Sequence, residues 1–168
     1  MAQSNTILIA WDSSIWISWL VNESRPNHES DGVVECVQLT KEGKVIIVSS
    51  TVLYAEVSEL RMSTESQLKY TQFLRRRNVK MVGINPRIGA ISLELKTFYR
   101  QLSKRDGLKE LTENDAHHMA TAIYMQAEAF YTFDNGGKNS RSLLSLNGNV
   151  AGHNLVVCKP PITQYRLL

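Results

Sequence analysis

The chain has 168 residues, 43% of them hydrophobic, which suits one globular domain over residues 1–168 and leaves little room for a second core. Nineteen Lys and Arg against 16 Asp and Glu give a net charge of +3, too small to indicate a nucleic-acid-binding protein by itself. Cys36 and Cys158 lack the spacing of a zinc site or a disulfide framework, and the apolar run 7–11 is too short for a signal peptide or a membrane span, so we expect a cytoplasmic protein without membrane contact.

Short apolar runs alternate with longer amphipathic stretches. The apolar runs are typical of strands and cover residues 7–11, 45–48, 79–82, 129–133 and 155–158. The first two are almost continuous in apolar and β-branched residues, as in parallel strands buried on both faces. Helical spacing predicts helices over residues 32–41, 51–61, 64–77, 89–104 and 113–127. This alternation predicts an α/β layered domain.

Turn-forming residues separate these elements. The breaks are Asn85-Pro86 after the third strand, Arg105-Asp106-Gly107 after a helix and Asn135-Gly136-Gly137 after the fourth strand. Residues 23–32 are predicted to form an exposed loop. The residues from Lys159 onward contain two prolines and are predicted to form a tail, because proline cannot extend a central strand.

Four acidic residues stand where a carboxylate is unfavourable. Asp12 and Asp134 directly follow strand-like runs, whereas Glu56 and Asp115 lie on the apolar faces of helix-like stretches. Ionised carboxylates are costly to desolvate, and converging ones repel each other, so a divalent cation with oxygen ligands is the natural compensator. The pattern predicts a metal-dependent hydrolase.

Asp12 and Asp134 also have simpler interpretations. Asp12 lies at the carboxyl end of a strand, where open parallel sheets place ligands, but it equally suits the cap of a helix that begins near Ser13. Asp134 precedes a glycine-rich turn, and aspartate commonly initiates turns. Position alone leaves both alternatives open.

The two helical acids have alternatives of their own. Glu56 shares a stripe with Val52 and Leu60, so it needs a partner, which an arginine elsewhere would also provide. Asp115 lies three residues after Thr112 in the pattern of a capping box. A capping threonine can also position a ligand carboxylate, so capping and metal binding are compatible for Asp115.

The four acids lie in motifs that resemble a family. The segments are Ile-Ala-Trp-Asp12-Ser-Ser-Ile-Trp, Ser50-Thr-Val-Leu-Tyr-Ala-Glu56-Val, Asn114-Asp115-Ala-His-His-Met-Ala-Thr-Ala and Tyr-Thr132-Phe-Asp134. In order and spacing, over nearly the whole chain, this arrangement resembles a PIN-domain ribonuclease, close to VapC-type toxins. The resemblance implies a three-layer α/β/α sandwich with a central five-stranded parallel sheet. It also implies an endoribonuclease that forms a toxin–antitoxin pair with a small antitoxin protein, and a homodimer.

The resemblance further implies roles for individual residues. It assigns the acidic site to Asp12, Glu56, Asp115 and Asp134, with Ser14 and Thr132 as polar companions. Of the acids, the three aspartates would bind Mg²⁺ or Mn²⁺, and the glutamate would orient a water or serve as base. The fourth motif continues without the second acid of many relatives, which leaves open whether one or two ions bind.

Other side chains are candidates for substrate contact. Lys138 follows Asp134 across the glycine turn and is a candidate phosphate ligand, as are Arg75 and Arg76. The two arginines also suit a solvated helix end, where cations are favoured by the helix dipole. The adjacent His117 and His118 are predicted to have packing or surface roles.

Two other functions fit the same sequence. One is a non-catalytic PIN-like module that binds RNA or protein through the same scaffold. The other is a structure-specific DNA nuclease, because related acidic sites cut DNA. Clustered, mutually repelling carboxylates argue against a purely structural role.

Overall fold

A five-stranded parallel sheet runs through the centre of the computed structural model, which describes residues 6–162. The strands are β1 (Ile7–Trp11), β2 (Val45–Ser50), β3 (Val79–Val82), β4 (Ala129–Tyr131) and β5 (Val157–Cys158). They lie in the order β3-β2-β1-β4-β5, and the four pairings are parallel. The predicted sheet is confirmed, with β1 at its centre.

Helices cover both faces of this sheet. One face packs against α1 (Ser13–Leu20), α2 (Glu29–Lys41), α3 (Leu53–Ser58) and α4 (Thr64–Leu74). The other face packs against α5 (Pro86–Asp106) and α6 (Glu113–Tyr124). The predicted three-layer α/β/α sandwich is therefore confirmed.

Side-chain alternation along β1 explains the two cores. Ile9 and Trp11 join the core beneath α1 to α4, whereas Ala10 between them joins the core beneath α5 and α6. Both sides of a strand must be apolar in such an arrangement, which is why the run reads as continuous rather than alternating. Trp11 and Trp16 are 1% and 0% exposed and pack edge to face, so they stabilise the first core rather than contact a ligand.

Several element ends differ from the prediction. The fifth helix begins at Pro86 rather than at residue 89, because the Asn85 side chain caps it and accepts hydrogen bonds from the backbone N–H groups of Arg87 and Ile88. The second helix begins at Glu29, inside the predicted loop, after a 3₁₀ turn at Pro26–His28. Pro86, which the sequence analysis treats as a break, is thus the first residue of α5.

The chain after β5 returns along α2. Lys159 Nζ lies 2.5 Å from Glu29 Oε1, and Gly32 on the same helix lies directly against the backbone of Pro160. The predicted tail continues beyond residue 162, outside the described residues. Of the helices within residues 6–162, none combines the length and apolar character needed to cross a membrane.

Candidate active site

The acidic residues meet at the carboxyl edge of the sheet. β1 and β4 are neighbours in register, Trp11 opposite Tyr131, so the residues that follow them emerge side by side. Asp12 and Thr132 are therefore adjacent although 120 positions separate them, and their side chains are hydrogen-bonded. The first turn of α6 brings Asp115 to the same edge, and α3, which follows β2, brings Glu56.

Asp12 is held by two hydroxyl groups. Its Oδ2 accepts hydrogen bonds of 2.8 Å from both Ser14 Oγ and Thr132 Oγ1. The backbone N–H of Phe133 donates to Ser14 Oγ at 3.0 Å, which ties the end of β4 to the first turn of α1. Asp12 occupies the position before α1, but its side chain makes no capping hydrogen bond. Helix capping therefore does not explain this carboxylate.

The other oxygen of Asp12 has no partner. Asp12 is 3% exposed, and within the described part of the chain no group donates to its Oδ1. A buried, unpaired carboxylate oxygen is costly, and such groups occur where a water or an ion completes the site. The charge of Asp12 also acts on the neighbouring Asp115, so this oxygen is the best-defined candidate ligand for a bound cation.

Asp115 is held by its capping threonine. The Thr112 hydroxyl accepts a hydrogen bond of 3.1 Å from the Asp115 backbone N–H and donates one of 2.6 Å to Asp115 Oδ2. Burial raises the pKa of Asp115; the bond from Thr112 opposes the shift, and the charges of Asp12 and Asp134 add to it. The predicted cap is therefore confirmed, and metal binding by Asp115 stays a prediction that this geometry is compatible with.

Asp134 lies in a tight turn. Its Oδ1 accepts a hydrogen bond of 2.6 Å from the backbone N–H of Gly136, and its own N–H donates to Thr132 Oγ1 at 3.0 Å. The same turn leads to Lys138, which is exposed. A turn role therefore holds for Asp134 together with its place beside Asp115.

Glu56 is paired with a histidine rather than an arginine. Glu56 Oε2 lies 2.7 Å from His118 Nε2, and Oε1 accepts a hydrogen bond of 3.1 Å from Asn114 Nδ2. Burial alone raises the pKa of Glu56, but the bond and charge of His118, with bonds from Asn114 and Ser13, outweigh it and lower the pKa. Burial alone lowers the pKa of His118, but Glu56, Asp12 and Asp115 together raise it.

His118 is buried, as its predicted packing role requires, and it also has a contact that the sequence analysis did not predict. Its side chain is 1% exposed and belongs to the acidic site. The sequence did indicate that His118 lies on the same side of α6 as Asp115, because it follows Asp115 by three residues. Nε2 of neighbouring His117 lies 3.9 Å from Glu113 Oε1 on the same helix.

The predicted basic contacts are not all at this edge. Arg75 and Arg76 follow α4 and immediately precede β3, and the Arg76 carbonyl accepts the N–H of Val79 at the start of that strand. They therefore lie at the amino edge of the sheet, opposite the acids. Of the predicted phosphate contacts, Lys138 remains beside the site.

The acids fit a hydrated divalent ion better than a fully protein-bound one. Within residues 6–162 no three His, Cys, Asp or Glu side chains stand close enough together to enclose a metal ion. Mg²⁺ keeps several waters and takes as few as one or two carboxylates. The free Oδ1 of Asp12 can serve as one such ligand, and Asp115 and Asp134, whose pKa coupling places them near one another, can contribute through water; none of these is a sulfur or imidazole ligand that would favour zinc.

Solved structures share this fold. VapBC2 from Rickettsia felis, bound to a DNA fragment from their promoter, is 17% identical with a TM-score of 0.60 over 90% of this chain and 97% of that chain. VapC20 from Mycobacterium tuberculosis, a sarcin–ricin loop cleaving toxin, is 13% identical with a TM-score of 0.50 over 75% of this chain and 89% of that chain. At these identities the likeness concerns the fold.

Sequence comparison adds a family assignment. No curated protein sequence matches the chain significantly. The PIN domain profile, however, matches residues 9–139, a span that contains the acidic residues Asp12, Glu56, Asp115 and Asp134. The chain therefore belongs to the PIN domain family.

Proposed function

We propose that this protein is a metal-dependent endoribonuclease that hydrolyses RNA phosphodiester bonds and acts as the toxin of a toxin–antitoxin pair. The observation that carries the proposal is the buried, unpaired Oδ1 of Asp12 at an edge where Asp115 and Asp134 also lie. A purely structural site would satisfy that oxygen and would not gather like charges around it. The site is thus arranged for a cation and for the phosphate that the cation would bind.

The proposed mechanism assigns one task to each side chain. Ser14 and Thr132 hold Oδ2 of Asp12, which leaves Oδ1 free, and Asp115 and Asp134 would hold the ion directly or through water. When bound there, Mg²⁺ or Mn²⁺ supplies charge neutralisation for the phosphate and lowers the pKa of a coordinated water. Glu56, held by His118, orients the attacking water, and Lys138 contacts the phosphate.

Two further elements of the proposal draw on relatives. VapC20 is a sarcin–ricin loop cleaving toxin, which supports RNA as the substrate. The Rickettsia structure contains VapBC2 bound to DNA from their promoter, which supports a toxin–antitoxin setting with a small partner protein. A homodimer, located in the cytoplasm, is part of the same proposal, and light scattering on the purified chain would measure its mass.

Cleavage of RNA by the purified chain, freed of any partner, tests the proposal. Labelled single-stranded RNA should be cut with Mg²⁺ or Mn²⁺ and not with EDTA, and Asp12→Asn and Asp115→Asn should abolish cutting while the circular dichroism spectrum is retained. Glu59→Gln, an exposed acid on the turn after α3, is the matched control and should cut normally. Absence of cleavage with every divalent ion would refute the nuclease.

Two measurements separate the alternatives. Calorimetric titration with Mn²⁺ should show saturable binding that Asp12→Asn removes, whereas a non-catalytic module would show none. Competition between single-stranded RNA and flap DNA should leave the DNA uncut. Preferential cutting of the flap would instead favour a structure-specific DNA nuclease.

A further inference from the structure

Both oxygens of the Glu56 carboxylate are hydrogen-bonded to side chains of a single helix, α6. Asn114 Nδ2 donates to Oε1 at 3.1 Å, and His118 Nε2 lies 2.7 Å from Oε2. Asn114 and His118 are four residues apart on α6, so they project from the same side of consecutive turns. Together they form a two-point clamp, hereafter the α6 clamp.

Among residues 6–162, the imidazole of His118 is hydrogen-bonded through Nε2 alone. An ionised carboxylate can only accept, so Nε2 must carry the proton that lies between His118 and Glu56. Nδ1 of the same ring is buried and has no hydrogen-bond partner among residues 6–162. The hydrogen bond of His118 is thus directed at a carboxylate of the acidic site, which packing alone does not require.

The α6 clamp also joins two layers of the fold. Glu56 belongs to α3, a helix of six residues whose Leu53 and Val57 pack in the core beneath α1 to α4. His118 belongs to α6, whose Met119 packs in the core on the opposite face of the sheet. The hydrogen bond therefore fixes the end of a long, flexible side chain across the carboxyl edge of the sheet, where the proposed reaction takes place.

We propose that His118 is a positioning residue that, together with Asn114, holds the Glu56 carboxylate at a fixed place in the acidic site. The proposal rests on the proposed nuclease function, because it assigns the device that orients one of its acids. A carboxylate has about four lone-pair positions, so about one remains for a water beyond the bonds from His118, Asn114 and Ser13. Glu56 therefore acts by orienting water rather than by moving toward the substrate.

Kinetics of two substitutions at one position tests this role. His118→Leu removes the donor and should lower kcat for RNA cleavage about 10- to 100-fold, the usual effect of losing the group that orients a site residue, with KM nearly unchanged. His118→Gln presents an amide N–H where Nε2 was and should restore most of kcat. His117→Gln, one residue away on the same helix, is the control and should behave as wild type.

A double-mutant cycle shows whether His118 acts through Glu56. Once Glu56→Gln has been introduced, adding His118→Leu should slow kcat little further, because contacting residues are not additive. Equal slowing by His118→Leu in both backgrounds would overturn the proposal, as would a His118→Gln variant as slow as His118→Leu when both are folded by circular dichroism.

Urea unfolding of the same four proteins separates this proposal from the nuclease assignment. Coupling between positions 56 and 118 in the free energy of unfolding requires no activity. If the wild type cuts no RNA but coupling is present, the nuclease assignment fails and the contact stands. If the wild type cuts RNA but neither kcat nor unfolding shows coupling, the α6 clamp is wrong.

Discussion

Thr132 Oγ1 donates a hydrogen bond of 2.8 Å to Asp12 Oδ2 and accepts one of 3.0 Å from the backbone N–H of Asp134. One buried hydroxyl thus sets the distance between two of the acids. Its donor and acceptor are both used, so a side chain without a hydroxyl cannot replace it without leaving polar groups unpaired.

Replacing Thr132 by Val should therefore lower the free energy of unfolding by about 1–3 kcal/mol, the usual cost of unsatisfied buried polar groups, and reduce cleavage as well. The shape of the side chain is retained, so packing changes little. Urea denaturation measures the loss. Thr71→Val, on the exposed surface of α4 where the hydroxyl bonds only within its own helix, should cost much less. Equal losses at the two positions would contradict the role given to Thr132.

Substitution of Asp12 by Asn should stabilise the metal-free protein. The charge of Asp12 raises the pKa of neighbouring Asp115, so the two carboxylates repel each other, and asparagine removes that repulsion. Asparagine also places an N–H donor where the unpaired acceptor Oδ1 of Asp12 was. The same change should remove stabilisation by Mn²⁺, which for the wild type is about 2.7 kcal/mol at roughly 100 times the dissociation constant. Thermal unfolding with EDTA and with Mn²⁺ measures both effects. A variant that is still stabilised by Mn²⁺ would show that Asp12 is not a ligand.

The His118–Glu56 pair should stabilise the fold within a limited pH window. The folded pKa of Glu56 lies below its ordinary value of 4.5, so its contribution is complete above that pH and is lost as the pH falls through the folded value. The folded pKa of His118 lies above its ordinary value of 6.5, so its contribution is complete below that pH and is lost as the pH rises. The pair is therefore most stabilising between about 4.5 and 6.5.

The difference in unfolding free energy between wild type and Glu56→Gln, measured in urea with EDTA at several pH values, tests this window. Asp115 has the opposite sign, because its raised pKa makes the fold more stable as the pH falls, but it is present in both proteins and largely cancels. The difference should be largest inside the window and smaller on either side. A difference that is constant with pH would mean that the two side chains do not form an ion pair.

Gly136 should not tolerate alanine. Its φ is +71°, and an added Cβ would lie 2.7 Å from the carbonyl oxygen of Ser140. The left-handed conformation alone costs an L-residue about 1–2 kcal/mol, and the contact adds to this. Because Gly136 N–H also donates to Asp134 Oδ1, Gly136→Ala should lower both stability and cleavage. Gly137→Ala is the control, since the nearest atom to its Cβ is Ser140 Oγ at 4.0 Å, and it should be close to neutral.

Much of the fold was predictable because local patterns decide it. The apolar run of β1 required helices on both faces, and its position before Asp12 placed the acid at the carboxyl edge. Helix starts were less predictable. Asn85-Pro86 was expected to interrupt the chain, but an asparagine before a proline is also an N-cap, and only the following backbone decides between the two.

The contacts that complete the site were less accessible from the sequence. The partner of Glu56 comes from a helix in the other layer, and periodicity on α6 indicates which face His118 occupies but not what that face meets. Arg75 and Arg76 illustrate the same limit. Their positive charge suggested contact with a phosphate. The edge of the sheet on which they lie, however, depends on where the helix before them ends, and α4 ends at Leu74, which leaves both arginines in the loop before β3.

The central position of β1 has a consequence for synthesis of the protein. Asp12 is synthesised long before Thr132, which lies beyond β4 and provides one of its two hydroxyl contacts, and before its acidic neighbours Asp115 and Asp134. A nascent chain that has not reached Thr132 therefore lacks one hydroxyl contact of Asp12 and the acid Asp134. If the protein cuts RNA, its own messenger and the ribosome translating it are not exposed to the full site until β4 and the residues after it have been made and have joined the sheet beside β1.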